Sequence, residues 1–595
     1  MQSAETVLGV LRERGRRGLP LEELYRQLFN PQLYLLAYGR LYSNKGAMTA
    51  GVTGETVDGM SLGKIGRIID ALRHERYRWS PAKRIYIPKK SGNLRPLGLP
   101  PWSDKLVGEV VRLLLEAYYE PTFSDRSHGF RPGRGCHTAL REVVNTWTGT
   151  TWFIEGDVAD CFGSFDHQIM LSTLAEKIHD NRFLRLMRNM LKAGYLQDWV
   201  WNATLSGVPQ GGVVSPVMSN IYLHRLDEFV ETVLIPEYTR GRIRRQNTDY
   251  TRTQGAIQRA RKRGDRATAR QLRKQLRGMP SGDPRDPGFR RLRYARDADD
   301  TLLGFTGPKA EAEQIKQRLA GFLRDDLKLE LSEDKTLITH ARTRAAKFLG
   351  YEITVHHNDR KVTRGRRSTN GVVGLRVPTA VIKAKSAPYL TRGKPERRPQ
   401  LINDDDHTIV STYGAEYRGI VQYYLLAGNV DRLYRLHWVM ETSLLKTLAN
   451  KYRSSVSKMA HKYKTTIDTP HGPRRCVQAK VERSGRKPLV ARFGGIPLRR
   501  QKEAVVTDRL PIPGIIRHTE LVTRLLADRC EICANTDSIQ VQVHHVRRLA
   551  DLDRPRQPPP AWAQLMAQRR RKTLVVCQTC HDTIHAGQPT PTLTQ

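Results

Sequence analysis

No stretch of this chain approaches the run of about 18 apolar residues that a membrane-spanning helix requires. The N-terminus "MQSAETVLGVLRERGRRG" has no apolar signal core either. A membrane partner is therefore not expected, and a cytoplasmic setting is. Cysteine is scarce and odd in number, seven in 595 residues, and four of the seven fall in two CxxC pairs. That excludes a disulfide framework and points to metal binding in a reducing compartment. Acidic residues are in short supply: 59 Asp and Glu face 100 Lys and Arg, a formal charge of +41. The excess is spread over most of the chain, which fits long contact with a polyanion better than one small basic patch. Charge alone would also suit a ribosome-associated protein or a membrane-surface binder, so the motifs must decide. The length allows roughly three to five domains.

Two acidic signals stand about 140 residues apart: Asp157 in "FIEGDVADCF", and Asp299–Asp300 in "RLRYARDADDTLLGF". Each lies in or just after an apolar stretch that reads as a short strand. Carboxylates converging from two strands would hold two divalent cations, as nucleotidyl transfer requires. Helices are expected over residues 18–40, 62–77, 104–119, 308–327 and 407–465, and 168–195 is expected to be mostly helical. "KRIYIPKKSGNLRPLGLP" reads as two strands joined at Ser91-Gly92-Asn93, with basic side chains that can line a nucleic-acid path. Residues 240–290 read as a basic helical hairpin inserted between core signals. Residues 360–400 read as loop or linker, and 470–525 are basic and proline-dotted.

At the C-terminal end, Cys530, Cys533, Cys577 and Cys580 form CxxC…CxxC with 43 residues between the pairs. Four thiolates in two knuckles make a closed tetrahedral site for structural Zn²⁺. Around them sit His544-His545, His581 and His585; the last two are four apart and so share a helical face.

The ordered set "IYIPKKSGNLRPLGLP", "EPTFSDRSHGFRPGRGCHTAL", "FIEGDVADCFGSFDH", "GVPQGGVVSPVMSNIYLHRLDE", "DADDTLLGF", "LELSEDKT" and "KFLGYEI" resembles reverse transcriptases encoded by bacterial mobile group II introns. The terminal "CEIC…VQVHHVRRL…VVCQTCHDTIH" resembles the HNH endonuclease that many of them carry. The resemblance covers residues 20–590, approximately. It implies a multidomain α+β chain: a right-hand polymerase fold with fingers, palm and helical thumb, then a DNA-binding region and a small zinc-containing ββα-metal HNH nuclease. The implied segments are 1–60 (N-terminal extension, RNA anchoring), 61–360 (fingers and palm, with the insertion at about 240–290), 361–465 (linker and thumb, the maturase), 466–525 (DNA-binding region) and 526–595 (nuclease).

The resemblance also implies roles. Asp157, Asp299 and Asp300 are the catalytic ligands of two Mg²⁺ ions, joined by the backbone carbonyl of Val158. Phe162 lies under the nucleotide sugar and excludes a 2′-hydroxyl. Gln210 contacts the incoming dNTP and template, Arg84 and Arg95 its triphosphate, and Lys335 the phosphates. In the nuclease, His545 is the general base, while His544 and His585 bind Mg²⁺ or a similar divalent ion. His581 takes an asparagine-like position that orients the loop or the base. The residues themselves leave open which of the adjacent pair, His544 or His545, is base and which is ligand. The implied partners are the group II intron RNA, held as a ribonucleoprotein, double-stranded target DNA and dNTPs. The implied function joins RNA-directed DNA polymerase, splicing cofactor and DNA endonuclease in intron mobility. Such a protein acts in the bacterial cytoplasm, at the nucleoid when on DNA.

One residue departs from the pattern. The family has a tyrosine immediately before "ADD", where this chain has Asp297. On a strand, Asp297 and Asp299 would share a face. The extra acid would bind metal, raise a neighbour's pKa or pair with a basic residue; a shifted register is the other possibility. It is the one feature favouring the alternative of a non-enzymatic splicing cofactor with an impaired polymerase site.

Overall fold

The computed structural model describes residues 2–590 apart from 45, 89–91, 93, 198–199, 205, 208–211, 360, 364–365, 484–485, 506–518, 536–539 and 553–558. At its centre is a four-stranded antiparallel sheet in the spatial order Arg291–Asp297, Asp300–Thr306, Trp152–Asp157 and Ile338–His340. The strand Trp152–Asp157 is buried along its middle, as its apolar run requires. Asp157 stands at its end, half-buried. The helices Trp102–Tyr119, Ser215–Phe229 and Lys309–Asp326 contribute to the same apolar cluster as Ile154, Leu303 and Phe305 of this sheet.

Ahead of the sheet, strands Ala82–Pro88 and Leu94–Leu99 form the expected hairpin, which continues through Tyr195–Gln197 and Val200–Asn202. The basic insertion is two helices, Thr248–Lys262 and Arg266–Gly278, with only Ile257, Ala260 and Ala269 buried. Its neck is closed where Arg240 bridges Arg290 and Gln246 bridges Gly282.

Three readings are corrected. Residues 18–40 are not one helix. A helix Ala4–Arg16 comes first, a short 3₁₀ turn Tyr25–Phe29 follows, and Pro31–Leu41 begins anew at an Asn30 cap. Within residues 360–400 lie a strand, Val373–Arg376, paired with Tyr351–Val355, and a helix, Thr379–Ser386. The strand of the second acidic motif ends at Asp297. Residues 298–299 form the turn, so Asp297 and Asp299 do not share a strand face; Asp297 pairs with Asp300 instead.

A second apolar cluster holds the helices Asp406–Tyr423 and Tyr434–Lys451 together with a long hairpin, Arg474–Arg483 and Arg486–Gly494. The C-terminal module is a ββα unit: strands Val541–His545 and Thr573–Cys577, then the helix Gln578–His585. It does not stand apart. The strand Met60–Ser61 adds to its edge, and Leu521, Val522, Leu525, Val541, Val543 and Val575 share one core with the N-terminal helices. Among the described residues, no helix is long and apolar enough to cross a membrane.

Candidate active sites

The first site is built on strand register. Asp157 lies directly opposite Asp300 on adjacent antiparallel strands, and Asp299 occupies the turn between Asp297 and Asp300. Asp299 and Asp300 are largely buried. Burial, followed by the charges of Asp299 and Asp157, pushes the Asp300 carboxyl up to about 7, and Asp297 adds to the effect. Asp299 is raised too, by burial first and then by Asp157, while Arg95 and Lys335 oppose the shift. Acids that raise one another's pKa form a site that a cation would relieve. Lys335 already answers that demand: its Nζ donates to Asp157 Oδ2 at 2.5 Å, although its side chain is 67% exposed. These donors are oxygens, the ligands a hard cation such as Mg²⁺ takes.

The turn is held from beneath. Ala298 has a left-handed backbone (φ 57), which a non-glycine residue adopts only when its surroundings enforce it. Gly129 packs against it so closely that a Cβ there would stand 2.3 Å from the Ala298 amide nitrogen. The Arg296 guanidinium donates to Ala298 O (3.0 Å), to Ser127 Oγ (2.8 Å) and to both oxygens of Asp227 (2.8 and 2.6 Å). Arg296 and Asp227 are both 0% exposed. Tyr294 donates a further hydrogen bond to Asp227. None of these positioning residues was picked out from the sequence. A charged residue in "YARDADD" reads as solvent-facing, and its partner lies 69 positions away.

Of the other expected residues, Val158, Phe162, Arg84 and Arg95 are carried by separate elements. Val158 forms an isolated bridge with Leu331. Phe162 is half-buried, edge-on to Phe130 and Phe165. Arg84 stacks over the Tyr195 ring at 3.3 Å. Arg95 lies on the same hairpin, opposite Ile87. Gln210 lies outside the described residues.

The second site is the C-terminal module. The thiols of Cys530, Cys533, Cys577 and Cys580 all lie within 4.8 Å of one another, with Cys533 and Cys577 Sγ 3.8 Å apart. This four-cysteine cluster is compatible with structural Zn²⁺. Beside it, His544, His581 and His585 gather their ring nitrogens with a carboxylate oxygen of Asp58, again all within 4.8 Å. Both ring nitrogens of His544 are buried without a hydrogen-bond partner, the condition of a side chain shaped for a ligand. His581, expected to orient the loop or the base, stands within this cluster. Burial lowers the imidazole of His544 to about 4 and that of His545 to about 3, so both are neutral near pH 7. Asp58 was not expected here, since nothing in "GETVDGMS" signals contact with residues almost 500 positions on.

The matching family models follow this layout: "Reverse transcriptase (RNA-dependent DNA polymerase)" over residues 87–244, "Type II intron maturase" over 375–482, and "AI2M/AI1M-like, HNH endonuclease" over 530–581. Acidic hairpin, maturase segment and histidine–cysteine module together define an enzyme with reverse-transcriptase-like and HNH-like catalytic domains. The chain is 37% identical over 582 residues to the group II intron-encoded protein LtrA of Lactococcus lactis subsp. cremoris, covering 94% of each. It is 31% identical to an uncharacterized 91 kDa protein in the cob intron of Schizosaccharomyces pombe, over 95% of this chain and 70% of that one. It is also 31% identical to a putative COX1/OXI3 intron 1 protein of Saccharomyces cerevisiae, over 94% and 68%. The chain belongs to the family of group II intron-encoded proteins, which combine reverse transcriptase, maturase and endonuclease activities.

Proposed function

We propose that this protein drives intron mobility by target-primed reverse transcription. Bound to its intron RNA, it nicks double-stranded target DNA and extends the new 3′-end with dNTPs on the intron template. The observation that carries this reading is the facing pair Asp157 and Asp300 with Asp299 in the adjoining turn, in one chain with a histidine-rich ββα module. In this reading the central sheet and the hairpin Ala82–Leu99 are palm and fingers, the helices Asp406–Tyr423 and Tyr434–Lys451 are the thumb, and the segment 466–525 meets DNA. The formal charge of +41 supports a long polyanion path.

Asp157, Asp299, Asp300 and the Val158 carbonyl would hold two Mg²⁺ ions, whose chemistry is to activate the attacking 3′-hydroxyl and steady the leaving phosphate. Lys335, which donates to Asp157 in this structure, would turn to the nucleotide phosphates, where it would neutralise or protonate the pyrophosphate leaving group. Arg84 and Arg95 hold the triphosphate. The Phe162 ring under the sugar rejects a 2′-hydroxyl, and Gln210 contacts template and nucleotide. In the nuclease, His545 takes a proton from water, and His544, His581 and His585 would hold the divalent ion that supports phosphodiester cleavage. The maturase segment grips the intron RNA, which itself performs the splicing chemistry.

Primer extension on an RNA template and nicking of target DNA test the assignment in parallel. Asp299→Ala loses extension by more than about 100-fold and keeps nicking, while His545→Ala does the reverse. Extension that persists in Asp299→Ala places the polymerase site elsewhere.

A further inference from the structure

Asp58 belongs to the N-terminal segment, yet its carboxylate lies in the nuclease. Oδ2 is 2.8 Å from His585 Nε2; Oδ1 is 3.4 Å from His581 Nε2 and 3.5 Å from His544 Nδ1. The placement is built by backbone. The strand Met60–Ser61 pairs with Val543 and Gln542, the Gly59 N–H donates to Val543 O at 3.0 Å, and the His545 N–H donates to Asp58 Oδ1 at 2.7 Å. Gly59 turns the chain through a positive φ of 71 at this point.

A second, independent contact covers the base. His545 is 5% exposed, and its Nε2 shares a 3.0 Å hydrogen bond with the hydroxyl of Tyr38 on the helix Pro31–Leu41. The Tyr42 ring lies beside it, with centroids 6.3 Å apart. One of the two ring nitrogens of His545 is thus engaged by a tyrosine.

We propose that Asp58 is the fourth ligand of the nuclease cation site, and that through it the N-terminal segment holds the nuclease closed until a DNA phosphate displaces this carboxylate. Three imidazoles and a carboxylate complete a tetrahedral shell and leave no open position, which is the mark of a resting and not a cleaving site. The same donor set selects an imidazole-seeking ion such as Zn²⁺, Co²⁺ or Ni²⁺ over Mg²⁺. Opening requires the Asp58 carboxylate to leave the cluster, so engagement of the N-terminal segment elsewhere would license DNA cleavage.

The inference rests on the nuclease reading, and the test separates the two. Full-length protein with zinc in the four-cysteine site is titrated with Co²⁺, following the d–d absorption band, and is then assayed for nicking of supercoiled DNA without intron RNA. Asp58→Asn keeps an oxygen to accept the His545 N–H and removes the charge; circular dichroism and thermal melting confirm that it folds. The expected result is Co²⁺ affinity at least about tenfold weaker than the parent's, an altered band shape and faster nicking. Unchanged affinity and band shape in Asp58→Asn overturn the fourth-ligand role. Weakened Co²⁺ binding with slower nicking overturns the closing role. A parent that binds no Co²⁺ beyond the level of His585→Ala overturns the nuclease cation site itself.

Discussion

The conformation of one alanine carries much of the acidic site proposed for the polymerase. Ala298 sits in the left-handed region at a cost of about 1–2 kcal/mol, and that turn presents Asp299 and sets Asp300 opposite Asp157. Gly129 leaves no room for a side chain beneath it. Gly129→Ala is expected to shift the turn and lower primer extension by about 100-fold, the usual consequence of a catalytic group displaced by about 1 Å; steady-state extension checks this. Asp297 contributes to raising the Asp300 carboxyl, yet it lies at a strand end paired with Asp300, outside the turn that bears Asp299. The parent is therefore expected to be active, with Asp297→Tyr changing its rate by less than about tenfold. An inactive parent rescued by that substitution would mark a degraded polymerase. At this scale the sequence revealed the acids, because they are short motifs in apolar strands. Arg296, Asp227 and Gly129 stayed hidden, because a buried ion pair and a close backbone approach exist only once distant segments meet.

Among the elements, the helices Trp102–Tyr119 and Lys309–Asp326 match their apolar periodicity, and the expected strands Ala82–Pro88 and Leu94–Leu99 pair with each other. Elements defined by partners were harder to read. The strand Val373–Arg376 is too short to show a period and is fixed by pairing with Tyr351–Val355. The break before Pro31–Leu41 was signalled by Asn30-Pro31, a cap followed by proline at the first helical position, but the apolar spacing masked it. Asp104, in the first turn of Trp102–Tyr119, accepts hydrogen bonds from the Tyr77 hydroxyl (2.5 Å) and the Ser80 amide (2.9 Å). Burial outweighs both and pushes its carboxyl up to about 6. A folded pKa above the unfolded value of about 3.9 means that the folded protein binds more proton. The contribution of Asp104 is therefore fully present below about pH 4 and is lost as pH rises through about pH 6. Asp104→Asn removes this dependence, so its stability relative to the parent is expected to rise by up to about 3 kcal/mol across that window. Denaturant unfolding at both ends of the window checks this.

For the whole molecule, ordered motifs declared three activities in one chain, and the family matches fall in the same order. How the activities are joined was not legible. The nuclease shares its core with the N-terminal helices and takes an edge strand from residues 60–61, a contact made across nearly the full length of the sequence. The central claim is that two separate sites act in succession on one DNA strand. It is tested most directly by supplying the intron ribonucleoprotein with target DNA and dNTPs and following cDNA joined to the nicked strand. The account predicts that parent protein yields joined product and that Asp299→Ala stops at nicked DNA. It also predicts that His545→Ala yields nothing on intact DNA but extends a pre-nicked target normally. Failure of His545→Ala to extend the pre-nicked target, or cDNA synthesis by Asp299→Ala, would contradict it.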